Sequence, residues 1–565
     1  MTALLLFLEL FSTLGQASPQ PQTRAQAAYR IGGVVVDDIT NAPVARAQVS
    51  ISLGGEQTNT VAGDDGRFAF EGLAAGKYVL SAAAPGYLHE GFKQHGGFFV
   101  GIATGKDQDS EHLIFRLHPE AVIYGRVTNE RGEAVRAAQV ALFSSDPMKG
   151  SGERFVSSQV QTNDLGEYRF AHLNAGKYYL AVQARPWYAQ SQLSSQTRQN
   201  SGFGGSAAGS FAVSGISVDS DPILDVAYPI TFYPGVTDEQ ASAALILNAG
   251  DKEEANITLQ AVPAARLHVR VSPADAGTSF GVGASQRVFG TFTSVLNLVF
   301  GQVAPGEYEV AGLPPGELSL VLTTNRENEW TSRSIEADTR SEGVIDASAL
   351  QATANVSGRI LLPGGDPGAI AGNVHLANTA TTTLPPATVP LRKDGTFSFP
   401  EIQPGTYKVQ VNLSSNDCYI QHVSAKEAKV SGRAITIAAG SEVDLTVTLG
   451  QGRGHVTGIV QSEGKPASGV MVLLVPESGL EMEEDSRMDE SDSDGTFNLA
   501  GILPGEYVLM AIEDGWDLEW AKPEVLRAYL SAGQKIAIAA SQSIKVTVTA
   551  QEKPGRAERS RNSVL

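Results

Sequence analysis

The sequence predicts an all-β chain, a tandem array of about five small β-sandwich domains. Three observations carry this. A seven-position spacing pattern occurs five times. Within each copy, apolar and mixed positions alternate with the period of a strand. No long stretch has helical periodicity.

The pattern is Gly, then an aromatic residue at +2 and a large apolar residue at +4. Leu or Ile follows at +7, Gly at +10, Tyr or Leu at +12, and Leu or Val at +14. Its copies begin at Gly66, Gly166, Gly306, Gly395 and Gly495, at intervals of 100, 140, 89 and 100 residues. Solenoid repeats recur every ~20–50 residues, so these intervals mean whole domains in series. The first copy reads Gly66, Phe68, Phe70, Leu73, Gly76, Tyr78, Leu80, and the fourth reads Gly395, Phe397, Phe399, Ile402, Gly405, Tyr407, Val409.

Positions +2 and +4, then +12 and +14, predict a strand pair joined by a tight reversal at sequences such as Leu313-Pro-Pro-Gly316 and Ile502-Leu-Pro-Gly505. Gly at +10 is expected to supply a positive φ or a close backbone approach. Leu or Ile at +7 is expected to plug the end of the core. The acids before the first Gly (Asp64 or Asp65, Asp164, Asp394, Asp494) suit side-chain-to-backbone turn bonds. Upstream lie an opening strand and a turn, as in Ile31-Gly-Gly-Val-Val-Val-Asp37 and Pro43-Val44; downstream lies an alternating closing segment such as Val443-Asp-Leu-Thr-Val-Thr-Leu449. About seven short strands per ~100 residues indicate a sandwich. The expected domains are 27–119, 120–263, 264–350 (the most divergent), 351–452 and 453–551.

Other segments stand apart. Residues 1–17 resemble a signal peptide, with an apolar run and a small-x-small site ending at Ala17, although Glu9 interrupts the run. Export to the periplasm, the cell surface or the medium is therefore expected. Residues 188–222, rich in Gln, Ser and Gly, are expected to form a flexible insertion, and 552–565 a disordered tail. No other apolar run reaches the ~20 residues of a membrane span. The net charge of −19 weighs against nucleic acid and anionic membrane as partners. Cys418 is the only cysteine, which excludes an intrachain disulfide; a buried inert thiol is expected.

The opening Gly-x-Val strand, the Pro-Val turn and the Asp-Gly-x-Phe-x-Phe-x-x-Leu-x-x-Gly-x-Tyr segment resemble the carboxypeptidase regulatory-like domain, also called transthyretin-like. Phe232-Tyr-Pro-Gly-Val-Thr-Asp238 and Glu513-Asp-Gly-Trp-Asp-Leu-Glu-Trp520 resemble features of multi-copy exported bacterial proteins of this type. The resemblance implies seven-stranded, immunoglobulin-like sandwiches without catalysis of their own. The domain is also similar to starch-binding-like folds and to the B-type repeats of surface adhesins. Those repeats imply a Lys–Asn cross-link from a first-strand Lys. The first strands here hold no Lys, so Asn256 lacks such a partner.

Catalytic constellations are missing from the sequence. No histidine is followed by Glu at +3, as a zinc carboxypeptidase requires. His89-Glu90 with His95 lacks helical ligand spacing, and His112 and His118 fall at opposite ends of one strand. The loops 86–105 and 480–494 would bring His89, His95 and carboxylates together only if distant domains fold back. The acidic run Glu481–Asp494 partly resembles a calcium loop, but Gly501 sits where an EF-hand needs its last acid; a solvated loop is expected. Neither a catalytic residue, nor a cofactor, nor a metal is expected. Candidate sugar-stacking aromatics are Trp187, Tyr188, Trp330, Trp516 and Trp520, each weighed against a covering role in the sandwich. The expectation is a non-enzymatic exported scaffold or adhesion protein whose partner is an extracellular or envelope protein. The alternative is a carbohydrate-binding protein that takes a polysaccharide.

Overall fold

A computed structural model describes residues 29–145, 149–190, 222–271, 279–295, 298–326, 329–341, 343–347, 352–362, 371–379, 386–414, 417–479 and 482–553. The candidate signal peptide, most of the 188–222 insertion and nearly all of the tail lie outside the described residues.

The described residues form a series of five β-sandwiches with one plan, the two sheets of the fifth being joined where Ala511 and Ile512 pair with Ala550 and Gln551. In each, the opening strand is central to one sheet. Tyr29–Asp37 lies between Arg67–Leu73, antiparallel to it, and Leu113–Leu117, parallel to it. Ala354–Leu361 lies in the same way between Thr396–Ile402 and Glu442–Gln451, and Gly454–Ser462 between Thr496–Ile502 and Ser543–Gln551. Ala121–Thr128 and Ala265–Arg270 repeat this in the second and third sandwiches. The second sheet pairs Gly76–Ala83 with Gln48–Leu53, Gly405–Leu413 with Gly372–Asn378, and Gly505–Ile512 with Met471–Pro476.

The repeated pattern is therefore not a paired hairpin. The strand carrying +2 and +4 joins the opening strand, while the strand carrying +12 and +14 joins the opposite sheet. The chain between them is an arch over the end of the sandwich. Alternation alone fits both arrangements, because the apolar faces point at a common interior either way. Phe68, Phe70, Tyr78 and Leu80 share one core, and Phe397, Phe399, Tyr407 and Val409 share another. The +7 side chain enters the core from the arch: Leu313 and Ile502 are fully buried, while Leu73 packs against its core from a half-buried position.

The glycine requirement falls on the first Gly of the pattern. Gly66, Gly166, Gly306, Gly395 and Gly495 all adopt φ between +73° and +77°. Each carbonyl accepts the N–H of an opening-strand residue (Val35, Val127, Val271, Ile360 and Val460) at 2.8 Å. A Cβ on Gly166 would lie 2.5 Å from the Val127 carbonyl oxygen. At +10 the expected positive φ occurs at Gly316 and Gly405 (+138° and +157°) and not at Gly76, Gly176 or Gly505. A Cβ on Gly176 or Gly405 would meet the Tyr178 or Tyr407 ring at 3.6 Å.

The turn acids behave as expected at Asp65, Asp394 and Asp494, which accept the N–H two residues on at 3.1 Å. In the second copy the role belongs to Asn163, not Asp164: its Oδ1 accepts the Leu165 and Glu167 N–H groups at 2.9 Å. Helix is nearly absent, but Pro523–Leu530 forms a two-turn helix. Its Leu526 and Tyr529 bury against the fifth sandwich together with Trp520. Cys418 is a buried free thiol.

Candidate functional site: the clasp between the first and fifth sandwiches

The array folds back on itself. The fifth sandwich meets the fourth through Arg433, whose guanidinium grips both Asp485 oxygens at 2.6 and 2.7 Å. It meets the second through Trp520, which sits over Gly150, and through the Ala521 N–H, which donates to the Gly150 carbonyl at 3.1 Å. It also meets the first sandwich, across most of the sequence.

That last contact is built from two loops. On the first sandwich, residues 86–105 leave Gly76–Ala83 and return as the short edge strand Ile102–Thr104. On the fifth, the acidic run leads into the turn Asp492-Ser-Asp-Gly495, whose shape Gly495 sets with φ +77°. The Gly101 N–H donates to Asp492 Oδ1 at 2.9 Å, and the Ala103 N–H donates to Ser493 Oγ at 2.8 Å. In return the Ser493 N–H donates to the Gly101 carbonyl at 2.9 Å. Lys77 adds an ion pair to Asp492 and a hydrogen bond to Thr496. The acidic turn thus covers a strand edge whose groups would otherwise be unpaired.

Beside this edge, His95 stacks on Trp516 with ring centroids 4.9 Å apart and planes 3° apart. His95 Nδ1 lies 3.0 Å from Glu490 Oε1. Glu490 is 1% exposed, and its other oxygen has no hydrogen-bond partner. Burial raises the Glu490 carboxyl above its ordinary range, and the His95 contact opposes that shift. The neighbouring Asp489 is also raised by burial, although it accepts the Asn498 N–H at 2.6 Å.

The acidic run is therefore a fastener and not a solvated loop. Glu484 and Asp485 hold Lys408 and Arg433 of the fourth sandwich, and Glu490 and Asp492 hold His95 and Lys77 of the first. The fold-back brings His95 to the carboxylates but leaves His89 exposed and apart. His112 and His118 stay separate, on Asp109 and Glu90 respectively. Among the described residues no three His, Cys, Asp or Glu converge as a metal set.

The aromatic candidates do not form one surface. Trp187 is 83% exposed and meets Tyr188 edge-on at 5.8 Å, and the Tyr188 hydroxyl donates to Glu130 at 2.9 Å. Trp516 belongs to the clasp. Trp520 is 3% exposed and offers no open face to a sugar. The Trp330 side chain lies outside the described residues. An open groove of about 890 Å³ runs over the second sandwich, lined by Tyr124, Arg126, Glu167, Arg169 and Asn256.

Sequence reasoning missed Lys77, Ser493 and the partnership of His95 with Glu490. The charge density of 480–494 was a visible signal. The pairing was not, because the second copy carries Lys177 at the same pattern position and directs it to the Tyr179 ring.

A family model described as the carboxypeptidase regulatory-like domain matches residues 30–95 and 122–260, within the first two sandwiches. The first two sandwiches are carboxypeptidase regulatory-like domains. A second model, the second β-sandwich domain of the BOS complex subunit NOMO1-like family, matches residues 453–539. No curated protein matches the chain. Solved structures similar to it include the Bacillus anthracis TIE protein, at 11% identity over 76% of this chain and 74% of that one, with a TM-score of 0.16. GBS52, the minor pilin of Streptococcus agalactiae, is 14% identical over 36% of this chain and 96% of its own, with a TM-score of 0.19. BcpA, the major pilin of Bacillus cereus, is 10% identical over 59% of this chain and 99% of its own, with a TM-score of 0.15. In the clasp the first sandwich, a regulatory-like domain, and the fifth carry polar residues into their common interface. No helix among the described residues is long and apolar enough to cross a membrane.

Proposed function

We propose that this protein is a non-enzymatic, exported multi-domain scaffold or adhesion protein that works by protein–protein contact outside the cytoplasm. One observation carries the reading. The residues with the greatest chemical potential, His95 and the acidic run to Asp494, are spent on fastening sandwiches together. The described chain is otherwise occupied by sandwich strands and their turns. Regulatory-like domains accompany other activities and supply surface, which agrees with a scaffold. Photo-crosslinking in the source cell, followed by fractionation, tests it. Defined protein adducts in the envelope or extracellular fraction are expected. A chain recovered only inside the cell and without adducts would overturn it.

A carbohydrate role rests on Trp187 and Tyr188, the exposed aromatic pair beside the second sandwich. Under this reading a glycan array shows retention that Trp187→Ala abolishes. Without such retention the scaffold reading stands alone.

A further inference from the structure

We propose that the faces that clasp the first and fifth sandwiches within one chain also mate between two copies, so that an opened chain is completed head to tail by a second molecule. This deepens the scaffold reading by naming one partner, and it rests on the geometry of the clasp.

The contact joins residues 391 apart in sequence with no disulfide across it. It is heterologous: the surface on the first sandwich differs from the surface on the fifth. Closed within one chain it makes a ring, and opened it leaves two complementary faces on every molecule. The first-sandwich face is a strand edge. Opening uncovers the Gly101 and Ala103 N–H groups and the Gly101 carbonyl, which seek partners. The fifth-sandwich face offers Asp492 Oδ1, Ser493 Oγ and the Ser493 N–H in the matching order, with Asp492 opposite Lys77 and Glu490 opposite His95. The surface that fits the opened edge atom for atom is the fifth sandwich of another copy. The trans contact repeats the cis contact, so the difference between them lies in chain entropy. The tether keeps the two faces of one chain together, which favours the closed single chain in dilute solution.

One-sided lesions separate the two forms. The three atoms nearest to a Cβ on Gly101 all belong to Asp492 of the fifth sandwich, the closest at 2.6 Å, so Gly101→Trp blocks the first face. Ser493→Trp blocks the fifth face. Neither variant retains an intact pair of faces, but a mixture retains one, between the fifth face of the first variant and the first face of the second. Because the second sandwich also holds the fifth at Gly150, both variants carry Gly150→Trp as well, which clashes with Trp520; each full-length variant should then expand in small-angle scattering and sediment as a single chain. Their equimolar mixture at about 1 mM should sediment at twice that mass. Lys77→Glu replaces Gly101→Trp if the latter fails to melt like the wild type. A mixture that remains single-chain, or a variant that stays as compact as the wild type, overturns the proposal. Either result leaves the scaffold reading to its own cross-linking test.

Discussion

The Tyr407 hydroxyl donates to the Gln403 carbonyl at 2.9 Å, across the arch that joins the two sheets of the fourth sandwich. The same bond ties Tyr78 to Ala74, Tyr178 to Asn174 and Tyr507 to Leu503, at 3.2, 3.0 and 2.8 Å. Four copies therefore close the arch with one hydroxyl, and the third, with Leu318 in that place, does without it. This explains a choice of Tyr that burial alone leaves unexplained. Tyr407→Phe keeps the ring and leaves the Gln403 carbonyl without that donor. It should cost the fourth sandwich about 1 kcal/mol, read from its calorimetric transition. A change near zero would mean that water replaces the hydroxyl at no cost.

Gly166 is the second test of the arch. Its φ of +77° and the 2.5 Å approach of the Val127 oxygen leave no room for a side chain. Gly166→Ala should destabilise the second sandwich by about 1–3 kcal/mol. Ala at Gly176 faces the Tyr178 ring at 3.6 Å, an ordinary contact, and φ there is not positive, so it should cost less. Denaturant unfolding of the two variants should rank them in that order.

The second and third sandwiches should not melt independently. Phe289 inserts among Phe143, Tyr179 and Phe232, with centroids 4.9, 5.3 and 5.2 Å away, and the Arg154 guanidinium lies over the Tyr179 ring. Phe289→Ala should remove about 3–5 kcal/mol from this junction and split one calorimetric transition into two. A single unaltered transition would show that the junction carries no coupling.

Closure of the clasp should depend on pH through Glu490. Its carboxyl is raised by burial, so the closed form prefers the protonated acid. That preference is fully present below the ordinary Glu value of 4.5 and is lost as pH rises through the raised value. The groups facing Glu490 are His95, Lys93 and Asp489. The closed form should therefore gain on the open one as pH falls toward the carboxylate range. Fluorescence transfer between labels on the first and fifth sandwiches measures this. Glu490→Gln should flatten the profile, and an unchanged profile would remove Glu490 from the closure.

The spacing of Gly, aromatic and Tyr positions made the sandwich legible in the sequence, because a core that accepts alternate residues writes its period into the chain. What the period did not encode was which strands pair. Phe70 and Tyr78 would face one interior in a hairpin or in an arch, and only backbone hydrogen bonding separates the two. The clasp was less legible still. Its acids stood out as a dense run, but the basic groups that receive them are ordinary: Lys77 and Lys177 hold equivalent positions and have different neighbours. Trp516 and Trp520 read as candidates for sugar or as covers. They cover their own sandwich, and beyond it Trp516 reaches the first sandwich and Trp520 the second.

The distance along the chain between Gly101 and Asp492 gives the clasp a place in time. A ribosome adds about 5–20 residues per second, so the 391 residues between them take about 20–80 seconds to appear. A first sandwich that folds as it is made would carry the Ile102–Thr104 edge uncovered throughout that interval, until the fifth sandwich seals it. A nascent chain that stops short keeps its edge open, which makes completion of the ring a chemical record that every sandwich in between has been synthesised.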